Sequence, residues 1–215
     1  MSKKVKTLVV GPFMVNCYLY WDDHTGDGVI IDPGDEGEVI IEAVRKAGFK
    51  PRAILITHGH IDHIAAVSQV KDEFALPLYI GRGEEPLLAD PVSNASAFFN
   101  APLVVPAPDF LLADEEVFKI GSLVFRVLAT PGHTPGGICY LDESEGLVFC
   151  GDTLFQGSIG RTDLPGGSYA QLIDSIEKKL LTLPDNITCL SGHGPGTTIG
   201  AERHSNPFLA GGYYA

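Results

Sequence analysis

No stretch of this chain approaches the ~18–20 consecutive apolar residues that a membrane-spanning helix needs. Positive charge is also short. Lys plus Arg number 15 against 27 Asp plus Glu, a formal net charge of −12, which argues against nucleic acid or an anionic membrane as a partner held by bulk electrostatics. Cysteine is scarce: Cys17, Cys139, Cys150 and Cys189 are scattered, with no C-x-x-C pair and no short disulfide spacing. An even number leaves two disulfides arithmetically open, but three of the four lie in apolar strand-like runs, where buried free thiols are expected. The basic start Met1-Ser2-Lys3-Lys4 is followed by an apolar run, Val5 to Val10, too short to serve as the core of an export signal. A cytoplasmic location is the expectation.

What is present reads as a globular protein. Hydrophobic residues make up 45% and charged residues 20% of 215 positions, enough to bury a sizeable core. A single domain over residues 1–215 is expected, with no oligomeric state specified. Strands are expected at Val5–Val10, Asn16–Trp21, Gly28–Asp32, Ala53–Ile56, Leu78–Ile80, Val117–Ile120, Leu123–Ala129, Ile138–Leu141, Leu147–Cys150 and Ile187–Leu190. Apolar residues Val39, Ile40, Ala43, Val44 and Ala47 share one helical face, and Gly48 stands where a C-terminal cap belongs. Further helices are expected from about residue 64 to Glu73 and from Ser168 to about Leu181. The segment from Gly81 to Asp109 carries five prolines and reads as helical turns and loop. Strands followed by helices, in two halves of similar order, suggest an α/β sandwich of two sheets with helices outside.

Histidine is concentrated. Three of the seven histidines and one aspartate fall in Thr57-His58-Gly59-His60-Ile61-Asp62-His63, between an apolar strand and a helix. Imidazole and carboxylate are the commonest nitrogen and oxygen donors for transition metals, so this turn is a candidate metal site. An aspartate at a helix start is ordinary capping, but three imidazoles add little to a cap.

His133, Asp152 and His193 each lie just past the end of an apolar strand, flanked by glycine or proline. Loops at one edge of a sheet can converge, which lets ligands distant in sequence meet. With His58, His60, Asp62 and His63 they make seven donors, the right number for two ions. His24 and His204 have no such setting and are read as surface groups. Thr57, Asp32 and backbone carbonyls are the candidate acceptors for the second nitrogens of ligating rings.

The run Thr57 to His63 resembles the T-H-x-H-x-D-H signature of the metallo-β-lactamase-fold superfamily, and His133, Asp152 and His193 match its later motifs in order. The resemblance runs from about Val9 onward and implies a four-layer αβ/βα sandwich. It also implies that His58, His60 and His133 bind one ion and Asp62, His63 and His193 a second, with Asp152 and a hydroxide bridging. Gly151-Asp152-Thr153-Leu154-Phe155 and Gly160-Arg161-Thr162-Asp163 are similar to the short bacterial glyoxalase II group, the hydroxyacylglutathione hydrolase-like proteins. Longer members carry a C-terminal helical domain that grips glutathione; none is expected here. The implied reaction is cleavage of a small-molecule thioester or ester, with Asp62 and Asp152 at the catalytic centre. The implied cofactor is two divalent ions, zinc first and iron or manganese as alternatives. Arg161 is a weaker candidate, facing a substrate carboxylate or pairing with Asp163. The same resemblance offers an alternative chemistry, a mononuclear iron persulfide dioxygenase using His58, His133 and Asp152. Lactonase or β-lactamase action ranks lower, the latter because an aspartate stands where many such enzymes place a zinc-binding cysteine.

Overall fold

A computed structural model describes residues 3–209. Two six-stranded mixed sheets are stacked face to face. The first runs β1 (Lys3–Val10), β2 (Val15–Asp22), β3 (Asp27–Ile31), β4 (Lys50–Leu55), β5 (Leu78–Gly81) and β6 (Phe110–Leu112) in spatial as in chain order. Its first three strands are antiparallel neighbours and the rest are parallel. Parallel pairing requires crossovers, supplied by α1 (Gly37–Ala47) and by the pair α2 (Ile61–Ile64) and α3 (Val67–Phe74). Gly48 closes α1 in the left-handed region at φ 74°, as its position predicts.

The second sheet contains β7 (Val117–Ile120), β8 (Leu123–Ala129), β9 (Ile138–Asp142), β10 (Leu147–Gly151), and two later strands, β13 (Thr188–Ser191) and β14 (Thr197–Thr198). Between them lie a short hairpin, β11 (Leu154–Phe155) with β12 (Ser158–Ile159), and α5 (Tyr169–Ser175). The final helix is α6 (Ile199–Ser205).

Alternation along the strands sorts the core into three layers. In β3 and β4, Val29, Ile31, Ala53 and Leu55 face the other sheet and meet Phe125, Val127, Tyr140 and Phe149. Their neighbours Ile30 and Ile54 face outward and are covered by Ile40, Val44, Val67 and Val70 of α1 and α3. On the far side Leu141, Val148 and Cys189 pack under Leu172, Ile176 and Ile199. The result is the expected four-layer αβ/βα sandwich. Cys17, Cys139, Cys150 and Cys189 are all free and buried, as their apolar settings predict.

Three expectations are corrected. The single helix expected near residues 64–73 is two, because the Ala66 amide donates to the Pro33 carbonyl at 3.0 Å instead of continuing the ladder. The helix expected over 168–181 is α-helical only to Ser175, then takes a wider turn over Ile176–Leu180, closed by Leu181 N–H to Ile176 O at 2.8 Å. The stretch between β10 and α5, for which no strand is expected, contains the β11–β12 hairpin. Among the described residues, no helix is long and apolar enough to cross a membrane.

Candidate metal centre

Strand direction gathers the candidate residues. β8 is antiparallel to β9, β9 is antiparallel to β10, and β10 is parallel to β13, so the C-terminal ends of β8, β10 and β13 share one edge. His133, Asp152 and His193 follow those ends. The first sheet delivers Thr57 to His63 to the same edge: the Ile138 amide donates to the Thr57 carbonyl at 2.9 Å, and Tyr140 Oη donates to the Ile56 carbonyl at 2.8 Å. All seven residues meet there, as three overlapping groups whose donor atoms lie within 4.8 Å of one another: His58, His60 and His133; His58, His63 and Asp152; Asp62, His63 and His193.

The first group is a pocket of three rings. His133 Nε2 lies 2.9 Å from His60 Nδ1 and 3.2 Å from His58 Nε2. Tautomers follow from the outer partners. His133 Nδ1 faces the Arg161 carbonyl at 2.7 Å, an acceptor only, so Nδ1 carries the hydrogen and Nε2 a lone pair. Thr57 Oγ1 donates to Asp32 Oδ2 at 2.7 Å and so accepts from His58 Nδ1 at 3.2 Å, leaving His58 Nε2 a lone pair as well. Two lone pairs 3.2 Å apart repel unless a cation lies between them. This donor set fits a divalent ion of the kind imidazole prefers.

The second group is more open. Asp62 Oδ2 lies 3.1 Å from His193 Nε2 and 4.0 Å from His63 Nε2. Asp152 stands between the groups, with Oδ1 3.3 Å from His63 and Oδ2 3.7 Å from His133 and 3.5 Å from His193. His63 Nε2 and Asp152 Oδ1 are buried and make no aligned hydrogen bond, orphans of the kind an ion would satisfy. Gly192 is required by this crowding, since a side chain there would run into Asp152 Oδ1 and His63 Cε1.

Electrostatics divides the two groups. Burial, helped by neighbouring rings, pushes His58 well below the usual histidine range, and burial beside His133 takes His60 down to about 3. Burial acts on His63 in the same sense, but Asp152, Asp32 and Asp62 outweigh it and the ring is raised. Asp152 is lowered, since His63, His133 and His193 overcome its burial, and Asp62 is lowered in the same way by His63 and His193.

Asp32 ties the turn to the first sheet. It sits at φ 51°, unusual for a residue with a side chain, and accepts from the Thr57 amide at 2.8 Å, the Thr57 hydroxyl and His63 Nδ1 at 3.0 Å. The three kinds of acceptor expected for the rings are therefore all in use: Thr57, Asp32 and a backbone carbonyl. Sequence reasoning missed two residues. Asn16 Nδ2 donates to the Ser191 and Gly194 carbonyls at 2.9 and 2.8 Å, holding the loop that presents His193. Buried Glu84 accepts from Gly59 and Gly136, within the two loops that supply the three rings. Neither has a local signal, since Asn16 is a polar residue within β2 and Glu84 one just past β5, with no motif around either.

A cleft of about 100 Å³ opens over His60, Asp62, His133 and Asp152, walled by Phe13, Ile61, Phe99, Leu164 and Arg161. Phe13 and Phe99 meet edge to face at 4.8 Å. The Arg161 guanidinium makes a two-point pair with Asp163 at 2.7 and 2.8 Å, and both side chains are exposed. His24 and His204 lie away from the centre, His204 bonding to the Gly200 carbonyl on its own helix. Tyr140 is core, and the tail tyrosines Tyr213 and Tyr214 fall outside the described residues.

Comparison with known proteins agrees with this arrangement. The family profile described as "Metallo-beta-lactamase superfamily" matches residues 10–193. A Haemophilus influenzae protein named hydroxyacylglutathione hydrolase GloC is 40% identical over 207 residues, covering 95% of this chain and 97% of its own. The crystal structure of BLEG-1 B3 metallo-beta-lactamase superposes with TM-score 0.93 at 43% identity, covering 97% of this chain and all of the other. TTHA1623, solved in a di-iron-bound form, superposes with TM-score 0.84 at 38% identity over 95% of this chain and 100% of its own. The chain belongs to the metallo-beta-lactamase superfamily.

Proposed function

We propose that the chain is a dinuclear metallohydrolase that cleaves a thioester of the S-2-hydroxyacylglutathione type, releasing glutathione and a 2-hydroxy acid. The observation carrying this reading is Asp152, whose two oxygens reach toward the three-imidazole group and toward Asp62, His63 and His193 at once. His58 Nε2, His60 Nδ1 and His133 Nε2 would hold one ion; Asp62, His63 and His193 would hold the other, with Asp152 between. Two such ions supply hydroxide at neutral pH and polarise a carbonyl. The chain's own residues do the rest. Asp62, the more exposed carboxylate at the cleft, would take the proton released as the nucleophile forms and pass it to solvent, while Asp152 would hold the two donor groups together. Phe13 and Phe99 keep water from the substrate side. Arg161, preset by Asp163, meets a substrate carboxylate at the rim. The 40% identical hydroxyacylglutathione hydrolase supports this substrate class.

Zinc is the proposed metal, with iron the alternative that the di-iron relative supports and manganese a third that suits the same donors. Opening of a β-lactam is a second reading, favoured by the 43% identity to a protein titled as a B3 metallo-beta-lactamase. The decisive experiment measures metal per chain and then three activities side by side: S-lactoylglutathione hydrolysis, β-lactam opening, and oxygen uptake with glutathione persulfide. Two ions with thioester cleavage is the expected result. One iron with oxygen consumption overturns it. Arg161→Ala is expected to raise KM about 10-fold, the worth of one charge-assisted hydrogen bond, with kcat nearly unchanged.

A further inference from the structure

We propose that Glu84 is a positioning residue that sets the metal affinity of the three-imidazole pocket. The proposal rests on reading that pocket as a metal site. Glu84 follows β5 at the start of a short helix, α4 (Glu85–Ala89), and its residue surface is 0% exposed. Each carboxylate oxygen is committed to a different loop. Oε2 accepts the Gly59 amide at 2.7 Å, between His58 and His60; Oε1 accepts the Gly136 amide at 2.7 Å, three residues beyond His133. The carboxylate therefore staples together the two loops that supply all three rings. The two amides, with the Thr134 side chain alongside, offset part of the cost of burying this carboxylate.

This position requires two separate acceptor oxygens, one for each loop, which a carboxylate provides and a carboxamide does not. In Glu84→Gln one of the two backbone amides would face an NH₂ group and lose its partner. The roots of the same loops stay joined by Ile138 N–H to Thr57 O at 2.9 Å, so the fold has a separate tie and what loosens is the spacing of the rings. Ligand-supporting groups of this kind are worth about 10- to 100-fold in metal affinity.

The test isolates one pocket. His193→Ala removes a donor of the other group, so Co(II) titration of the metal-stripped chain, followed by its visible absorption and by competition with a chelator, reports the three-imidazole pocket. Adding E84Q to that background is expected to weaken the remaining site about 10- to 100-fold and to alter the Co(II) spectrum. Glu84→Asp, which keeps the charge but is too short for both amides, should weaken it in the same direction and serves if E84Q does not fold. Unchanged affinity and spectrum, with only a lower melting temperature, would mean that Glu84 is structural and would overturn the proposal. Failure of the wild-type chain to bind Co(II) at all overturns the reading of the pocket, and the proposal with it.

Discussion

His58, His60 and His133 meet where no residue is more than 5% exposed, whereas across Asp152 the side chains of Asp62 and His193 keep 18% and 28% of their surface in solvent. The buried group consists of imidazole nitrogens alone, two of the rings oriented from outside by Thr57 and by the Arg161 carbonyl. The open group mixes a carboxylate with rings that are drawn toward their charged forms by neighbouring aspartates. The second half keeps more of its surface in solvent, while the cleft runs over both, along His60, Asp62, His133 and Asp152. Asp152 belongs to both, and that shared carboxylate turns two donor sets into one centre.

The largest predicted effect follows from that sharing. Asp152→Ala should lower thioester hydrolysis by about 10²–10³-fold or more, the scale for removing one preorganised charged group, and should reduce bound metal in both halves. Full retention of two ions per chain would show that the halves are independent. Next in size is a paired experiment. His60→Ala and His63→Ala should each leave about one ion per chain and each cost at least about 100-fold in hydrolysis. Should His63→Ala keep full activity in an oxygen-uptake assay, only the buried half carries chemistry and the dinuclear reading fails.

The same contrast explains what the sequence disclosed. The turn from His58 to His63 packs four donors into six positions, so its chemistry was visible before any fold. His133, Asp152 and His193 were recognisable only as residues past strand ends, and became a site because β8, β10 and β13 run the same way. The long strands and the cap at Gly48 were legible because alternation and a left-handed glycine are local signals. The break in the helix at Ala66 was not, since its cause is a bond to Pro33, over thirty residues upstream. Nor were Asn16 and Glu84, whose partners are backbone groups of distant loops. At Arg161 it is the backbone carbonyl that meets His133, a role no side-chain motif encodes.

Asn16 offers a gentler way to loosen the open half alone. Its amide bonds to Ser191 and Gly194 hold the loop around His193 without touching a donor atom of the buried group. Asn16→Ala should cost about 1 kcal/mol of stability, because Tyr18 Oη still donates to the Ser191 carbonyl and Gly194 is exposed, and should weaken one of the two metal-binding steps about 10-fold. Equal weakening of both steps would mean that the two halves respond as one unit.

The smallest predicted effect on catalysis lies at the opposite edge of the second sheet, where β9 ends at Asp142. That carboxylate is 1% exposed and accepts from Lys3, Tyr20 and Ser144. Burial alone would raise it, but Lys3, then Ser144 and Tyr20, bring it below the usual carboxylate range. A group lowered on folding contributes stability that is complete above its unfolded pKa of about 3.9 and is lost as pH falls through the lower folded value. Asp142→Asn should therefore destabilise the chain by about 3 kcal/mol at pH 7, as expected for breaking a buried pair. The gap to wild type should narrow below about pH 4, measured by denaturant unfolding of both chains after metal removal. Hydrolysis at pH 7 should not change, because no donor of either half touches this cluster. A constant gap across that acid range would refute the assignment of charge to Asp142. A fall in kcat with both ions still bound would show that the difference between the two halves depends on the far edge of the sheet as well as on the residues that line the centre.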